Sequence, residues 1–164
     1  MNSISQLTVA QLVNAALPQI HELMPWDLDA MRQAHPDLLV IDIREADEYA
    51  AGHIQGSLLV PRGVLESACD WGYPDTLPAL VQARTQPVVL VCRSGNRTAL
   101  AALTLQQMGY DQVFSLKTGV RGWNDFELPL VNNQGEPVDI DVADEALSPP
   151  VLPTQMAPRL VKTS

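Results

Sequence analysis

Val88-Val89-Leu90-Val91-Cys92-Arg93-Ser94-Gly95-Asn96-Arg97-Thr98-Ala99 is the stretch from which the rest of the chain can be read. Four consecutive aliphatic residues without polar alternation suit a strand covered on both faces, the habit of a parallel sheet. The run ends on a cysteine, and a helical pattern begins a few residues later. From Arg97 to Met108, Ala99, Leu100, Ala102 and Leu103 repeat at helical spacing, and Gly109 stands where a C-cap belongs. Val113-Phe114-Ser115-Leu116 then reads as the next strand, which makes a strand–helix–strand crossover unit. Upstream, Leu38-Leu39-Val40-Ile41 and Leu58-Leu59-Val60 are further short strands. The fold class is therefore α/β, with a sheet between two helical layers.

The ends of the chain differ from this middle. Thr8 followed by Gln11 has capping-box spacing, and Val9, Leu12, Val13, Ala16 and Leu17 continue a helix that Pro18 should kink or end. A second short helix is expected from about Asp27 to Ala34, with Leu28 and Met31 inward. Residues 1–24 read as a helical extension, a packing and oligomerisation surface. Beyond Leu130 the composition shifts: residues 132–164 contain five of the 13 prolines and no aromatic residue. Such a segment would ordinarily be loosely ordered, or lie along its own domain or a second copy. The division expected is 1–24, a domain at 25–131, and an acidic, proline-rich extension at 132–164, with a homodimer through the extensions as one possible use.

Composition removes several classes of function. A net charge of −9 over 164 residues does not suit nucleic acid, whose binding needs clustered cations, nor an anionic lipid surface. No apolar run approaches the ~20 residues of a membrane helix. The first residues lack the basic start of a secretory signal, so a cytoplasmic location is expected. Two cysteines, Cys69 and Cys92, make neither a disulfide framework nor a four-cysteine metal site. No metal and no cofactor are expected.

Cys92 is the residue on which chemistry centres. Strand ends of this kind are where open α/β sheets bind ligands. A loop of Arg-Ser-Gly-Asn can curl and aim several main-chain N–H groups at one point, at the positive end of the following helix. The group they surround would be the Cys92 thiolate, since helix starts and neighbouring cations favour the ionised form. The alternative for any free cysteine is a small buried hydrophobe, but such a residue is not usually followed by Arg-Ser-Gly-Asn-Arg. From Cys92 to Arg121 the cations Arg93, Arg97, Lys117 and Arg121 face Asp111 alone, a basic island on an acidic chain that fits a small anionic substrate. Cys69 has no comparable loop and is incidental or, less plausibly, a resolving thiol for Cys92.

Three motifs resemble the single-domain rhodanese (thiosulfate sulfurtransferase-like) family. Asp42-Ile43-Arg44-Glu45-Ala46-Asp47-Glu48-Tyr49-Ala50-Ala51-Gly52-His53-Ile54-Gln55-Gly56-Ser57 is similar to its N-terminal signature, with Ser57 where alanine is more usual. Cys92-Arg93-Ser94-Gly95-Asn96-Arg97 resembles its active-site loop. Gly119-Val120-Arg121-Gly122-Trp123 resembles its C-terminal signature, with Thr118 where glycine is typical. The resemblance covers about residues 25–130 and implies a three-layer α/β/α fold with a five-stranded parallel sheet. It implies sulfur transfer: Cys92 takes the outer sulfur of a donor such as thiosulfate as a persulfide and passes it to cyanide or a thiol.

The resemblance places the substrate contacts at Arg93, Ser94, Gly95, Asn96, Arg97 and Thr98, with Arg93, Arg97, Ser94 and Asn96 holding the departing sulfite. Asp42 and Arg44 are either a structural ion pair or a supporting part of the site, and Arg62 would stand at its rim. Glu48, His53 and Trp123 read as structural. The motif of related phosphatases has five residues between its cysteine and its arginine, whereas only four separate Cys92 from Arg97 here and Thr98 follows. Phosphatase or arsenate-reductase chemistry, a persulfide carrier serving a protein partner, and a non-catalytic module are the alternatives.

Overall fold

A computed structural model describes residues 5–158. In chain order the elements are α1 (Val9–Ala16), β1 (His21–Leu23), α2 (Pro25–Ala34), β2 (Leu39–Asp42), α3 (Ala46–Ala51), β3 (Leu58–Leu59), α4 (Leu65–Ala68), α5 (Pro78–Val81), β4 (Val88–Val91), α6 (Asn96–Gln107), β5 (Val113–Leu116), α7 (Gly119–Asp125) and α8 (Ile140–Ala146). The five strands form one sheet in the order β1-β5-β4-β2-β3, with every pairing parallel. β4 is thus the central strand, and Cys92 leaves its C-terminal end.

The uninterrupted aliphatic run of β4 is explained by its two neighbours and two faces. Val88, Val89, Leu90 and Val91 are all fully buried. Val88 and Leu90 pack into one core with Val13, Leu65, Leu80 and Leu105, from α1, α4, α5 and α6. Val89 and Val91 pack into the other with Leu28, Val120, Trp123 and Ala143, from α2, α7 and α8. A side chain on either face of this strand meets a helix, so a polar residue there would lose hydration without compensation.

The N-terminal extension joins the fold. Thr8 and Gln11 close the reciprocal capping box at 2.8 and 3.1 Å, and Pro18 opens a 3₁₀ turn at Leu17–Gln19. His21–Leu23 then pairs with Phe114–Leu116 as the edge strand of the sheet. The boundary expected at residue 24 therefore follows an integral strand.

The C-terminal extension is not loose over its first half. Val131 exchanges two main-chain hydrogen bonds with His53, both 2.9 Å, and Val138 N–H donates to Leu130 O. Asp139 caps α8 through the amides of Asp141 and Val142, while the buried Asn124 amide donates to Ile140 O at 3.0 Å. Ala143 and Leu147 are buried against α7 and its neighbours. From Ser148 to Pro158 every residue is exposed. Among the described residues no helix is long and apolar enough to cross a membrane.

Candidate active site

Two residues with left-handed backbone shape the loop after β4. Gly95, at φ 95°, precedes α6, and a Cβ there would sit 3.2 Å from Leu116 O in β5. Its amide donates to Cys92 Sγ at 3.2 Å. The second is Gly119, at φ 63°, whose missing Cβ would fall 2.4–2.5 Å from the Arg93 main chain and Cys92 O. That gap lets α7 start against the loop, where Val120 N–H donates to Cys92 O and Arg121 N–H to Arg93 O. The glycine of the third motif is thus a close-approach residue that braces the cysteine loop from outside.

Thr118 is the odd member of this turn. It holds φ 68°, a region costly for a β-branched residue, and its hydroxyl donates to Lys117 O. Gly122 lacks a Cβ where Thr118 Oγ1 comes closest. Thr118→Gly should stabilise the protein by about 0.5–1 kcal/mol, the relieved strain exceeding the added unfolded-state entropy. Chemical denaturation checks this; an unchanged or lower midpoint would mean that the threonine hydroxyl outweighs the strain.

Cys92 is 1% exposed, whereas Ser94 and Asn96 of the same loop are exposed. One main-chain amide, that of Gly95, bonds the sulfur, rather than the several expected from the loop's composition. The amides of Arg93, Ser94, Asn96, Arg97 and Thr98 have no hydrogen-bond acceptor among the described residues. Three of them are the opening amides of α6, which no helix can satisfy internally. The loop thus keeps uncommitted donors beside the sulfur, at a positive helix end.

A hydroxyl pair completes the sulfur's surroundings. Thr98 Oγ1 lies 3.4 Å from Cys92 Sγ and 3.3 Å from Gly95 O, and Ser115 Oγ donates to it at 2.7 Å. All of these residues except Gly95 are at most 1% exposed. Because Ser115 fills one lone pair of Thr98 Oγ1, the threonine proton is free for Gly95 O or for the sulfur, and an anionic sulfur is the stronger acceptor. Sequence reasoning missed Ser115, whose only signal was a hydroxyl in an otherwise apolar strand. Thr98→Val should slow alkylation of Cys92 by iodoacetamide at neutral pH by about tenfold, on the order of one charge-assisted hydrogen bond. An unchanged alkylation rate would remove the hydroxyl pair from the chemistry.

The charged residues divide into committed and free. Arg97 is held by Glu48 in a bidentate pair at 2.8 and 2.9 Å. That hydrogen bonding keeps the Glu48 carboxyl below its ordinary pKa and the guanidinium above its own, with burial opposing both. Asp42 and Arg44 form a buried pair, 0% and 1% exposed, with contacts of 2.8–3.1 Å, and Arg44 Nη2 also donates to Gly52 O. Neither side chain bonds the loop.

Arg62 pairs with Glu66 and reaches Thr104 at 3.5 Å, two turns along α6 from the loop. It is not brought to Cys92. Arg93, Lys117 and Arg121 take part in no ion pair among the described residues. Arg93 is half-buried, Lys117 and Arg121 are exposed, and Lys117 abuts Gly95.

The remaining motif residues serve the frame. His53 stacks on Tyr49 with ring centroids 3.6 Å apart, and its Nδ1 lies 2.9 Å from Tyr49 O. Trp123 is buried, with its indole N–H on Pro129 O. Cys69 sits at the wrong end of the sheet to meet Cys92. Its carbonyl is held by Arg84, which also binds Met108 O at the C-terminal end of α6 and the Tyr110 hydroxyl. The 12 residues of α6 span ~18 Å, against the ~7 Å limit between Cα atoms of a disulfide. Burial also pushes the Cys69 thiol up. It is not placed to resolve Cys92.

Comparison with known proteins agrees with this geometry. The rhodanese-like domain description matches residues 25–126. A sulfurtransferase of Allochromatium vinosum is 33% identical over 99 residues, covering 60% of this chain and 83% of that protein. The uncharacterized protein YibN of Escherichia coli is 34% identical over 99 residues, covering 60% of this chain and 64% of YibN, so the match spans less than two thirds of that relative. Among solved structures, a protein of unknown function from Rhodopseudomonas palustris, described as a possible tyrosine phosphatase, superposes with TM-score 0.70 at 29% identity. That superposition covers 79% of this chain and 98% of the other.

Proposed function

The chain belongs to the rhodanese-like domain family, and on that premise we propose that it is a sulfurtransferase working through a persulfide on Cys92, with thiosulfate as donor and a thiol or cyanide as acceptor. The observation that carries this reading is the setting of Cys92 Sγ: the end of the central strand, one amide and one hydroxyl on the sulfur, and five uncommitted amides in its loop.

The chemistry follows from that setting. The Cys92 thiolate attacks the outer sulfur of thiosulfate. A bond forms from Sγ to that sulfur, the donor's S–S bond breaks, and its electron pair leaves on sulfite. Negative charge then sits on the terminal persulfide sulfur, where N–H donors already fixed by the loop stabilise it without the reorganisation that water would need. The departing sulfite meets Arg93, Lys117 and Arg121, which take part in no ion pair among the described residues. Arg97, committed to Glu48, ties the loop to α3 instead. In the second half-reaction the acceptor attacks the outer sulfur and returns the electron pair to Sγ. Attack by a thiolate needs no general base.

The possible-phosphatase description of the Rhodopseudomonas protein raises a second reading, which the loop does not favour. Phosphoryl chemistry wants an arginine free to wrap an oxyanion, and here four residues separate Cys92 from Arg97, whose guanidinium is occupied by Glu48. The test is intact-mass measurement after incubation with thiosulfate. A gain of one sulfur atom supports the proposal. No adduct from any sulfane donor overturns it.

A further inference from the structure

α8 lies outside the residues 25–126 matched by the family description, yet it shares the lining of one crevice with Arg93, the residue that follows Cys92 in the active-site loop. Its buried face is fastened by Asn124, by the Leu130–Val138 hydrogen bond and by the His53–Val131 bridge. Between α8 and α3 runs a crevice of about 30 Å³. Ala143, Ala146 and Leu147 line it from the tail, Ala51 from α3, Gly52 from the turn after it, and Arg93 from the loop. The exposed carboxylates of α8, Asp141, Asp144 and Glu145, are not among its lining residues.

The lining specifies a kind of ligand. Arg44 and Glu48 also border the crevice, but each is spent in an ion pair with Asp42 or Arg97. Arg93 is the bordering charge that takes part in no ion pair among the described residues. Methyl and isobutyl groups beside one free guanidinium suit a molecule with a short hydrocarbon part and an anionic end. They suit an inorganic oxyanion less, because it would surrender hydration to alanine side chains. Size sets the length of the hydrocarbon: a single water needs roughly 10–15 Å³, so this volume takes two or three carbons and excludes a peptide-sized body.

Resting on the sulfur-transfer reading above, we infer that this crevice is the acceptor subsite, and that the acceptor is a short organic thiol bearing a carboxylate or similar anion. Its anionic end pairs with Arg93 and its chain lies against Ala143 and Ala146. Its thiolate attacks the outer sulfur of the Cys92 persulfide. The new bond joins the acceptor's sulfur to the outer sulfur, the bond to Sγ breaks, and the electron pair stays on Sγ, with no oxidant or reductant consumed. Arg93 thus serves both half-reactions in turn, first for sulfite and then for the acceptor's acid group. The tail helix supplies the wall that selects the acceptor.

The test uses the full chain loaded with sulfur from thiosulfate, then discharged by 3-mercaptopropionate, by 2-aminoethanethiol or by cyanide in single turnovers. The chain's net charge of −9 favours the cationic thiol at long range, so a preference for the anionic one reports the local guanidinium. At equal thiolate concentration, 3-mercaptopropionate should discharge the persulfide at least about tenfold faster than 2-aminoethanethiol. Ala146→Phe, at an exposed position that the core does not depend on, should slow 3-mercaptopropionate at least about fivefold and leave cyanide within about twofold. Equal rates for the two thiols, an unaffected 3-mercaptopropionate rate in Ala146→Phe, or an equal slowing of cyanide each overturn the inference while leaving sulfur transfer intact. Failure of the native chain to load from any donor overturns the sulfur-transfer reading and the inference with it.

Discussion

Cys92→Ser should gain no sulfur from thiosulfate, and its turnover should fall by at least about a thousandfold, because a hydroxyl at that position is neither ionised nor able to form a persulfide. The variant should fold normally. Serine is close in shape to cysteine, and the two groups that bond the sulfur, Gly95 N–H and Thr98 Oγ1, can bond a hydroxyl as well. A thermal midpoint within a few degrees of the native value, alongside lost loading, assigns the loss to chemistry rather than to structure. The control is Cys69→Ser, which should load as the native chain does, since Cys69 lies at the other end of α6. A sulfur adduct that survives in Cys92→Ser and disappears in Cys69→Ser would reverse the assignment of the nucleophile.

The central strands were legible in the sequence because each is buried on both faces, so that hydrophobic runs and strands coincide. Edge strands leave a weaker trace. β1 is His-Glu-Leu with one exposed and two half-buried residues, and β3 is two residues long. Leu58-Leu59-Val60 still read as a short strand from its aliphatic run, whereas nothing in the sequence marked residues 21–23, which lay within the expected helical extension. The C-terminal extension left loose order and packing along its own domain both open for a related reason: composition averages over 33 residues, whereas order there comes from Ala143, Leu147 and a few main-chain bonds. In the site, a strand end followed by a polar, glycine-containing loop pointed to Cys92, since that reading needs only neighbours in sequence.

What could not be read was which group faces which. Arg97 looked like an anion holder until Glu48, 49 residues upstream, turned out to occupy its guanidinium. Ser115 looked like a strand residue until its hydroxyl was found on Thr98, 17 positions earlier. The amides counted in the loop were real, but only geometry says that one of them meets the sulfur.

Arg44→Met is the second large expected effect, and it decides between the two readings of the Asp42–Arg44 pair. The substitution keeps the volume of the side-chain stem but leaves the Asp42 carboxylate, 0% exposed, without its cation and Gly52 O without a donor. Removing one partner of a buried pair costs about 3–5 kcal/mol, because the remaining charge has neither water nor a counter-ion. For a chain of this size, that is a midpoint lower by roughly 10 °C. Asp42→Asn in the same background should recover a good part of the loss, since a neutral amide tolerates burial better than a carboxylate does, and that recovery is the sign of coupled partners. The guanidinium binds Asp42 and the Gly52 carbonyl but makes no contact with Cys92, so sulfur loading per folded molecule should stay within a few-fold of native. If Arg44→Met were instead as stable as the native chain and failed to load, the pair would belong to the reaction rather than to the frame, and the turn from Asp42 to Gly52 would need another explanation for its buried charge.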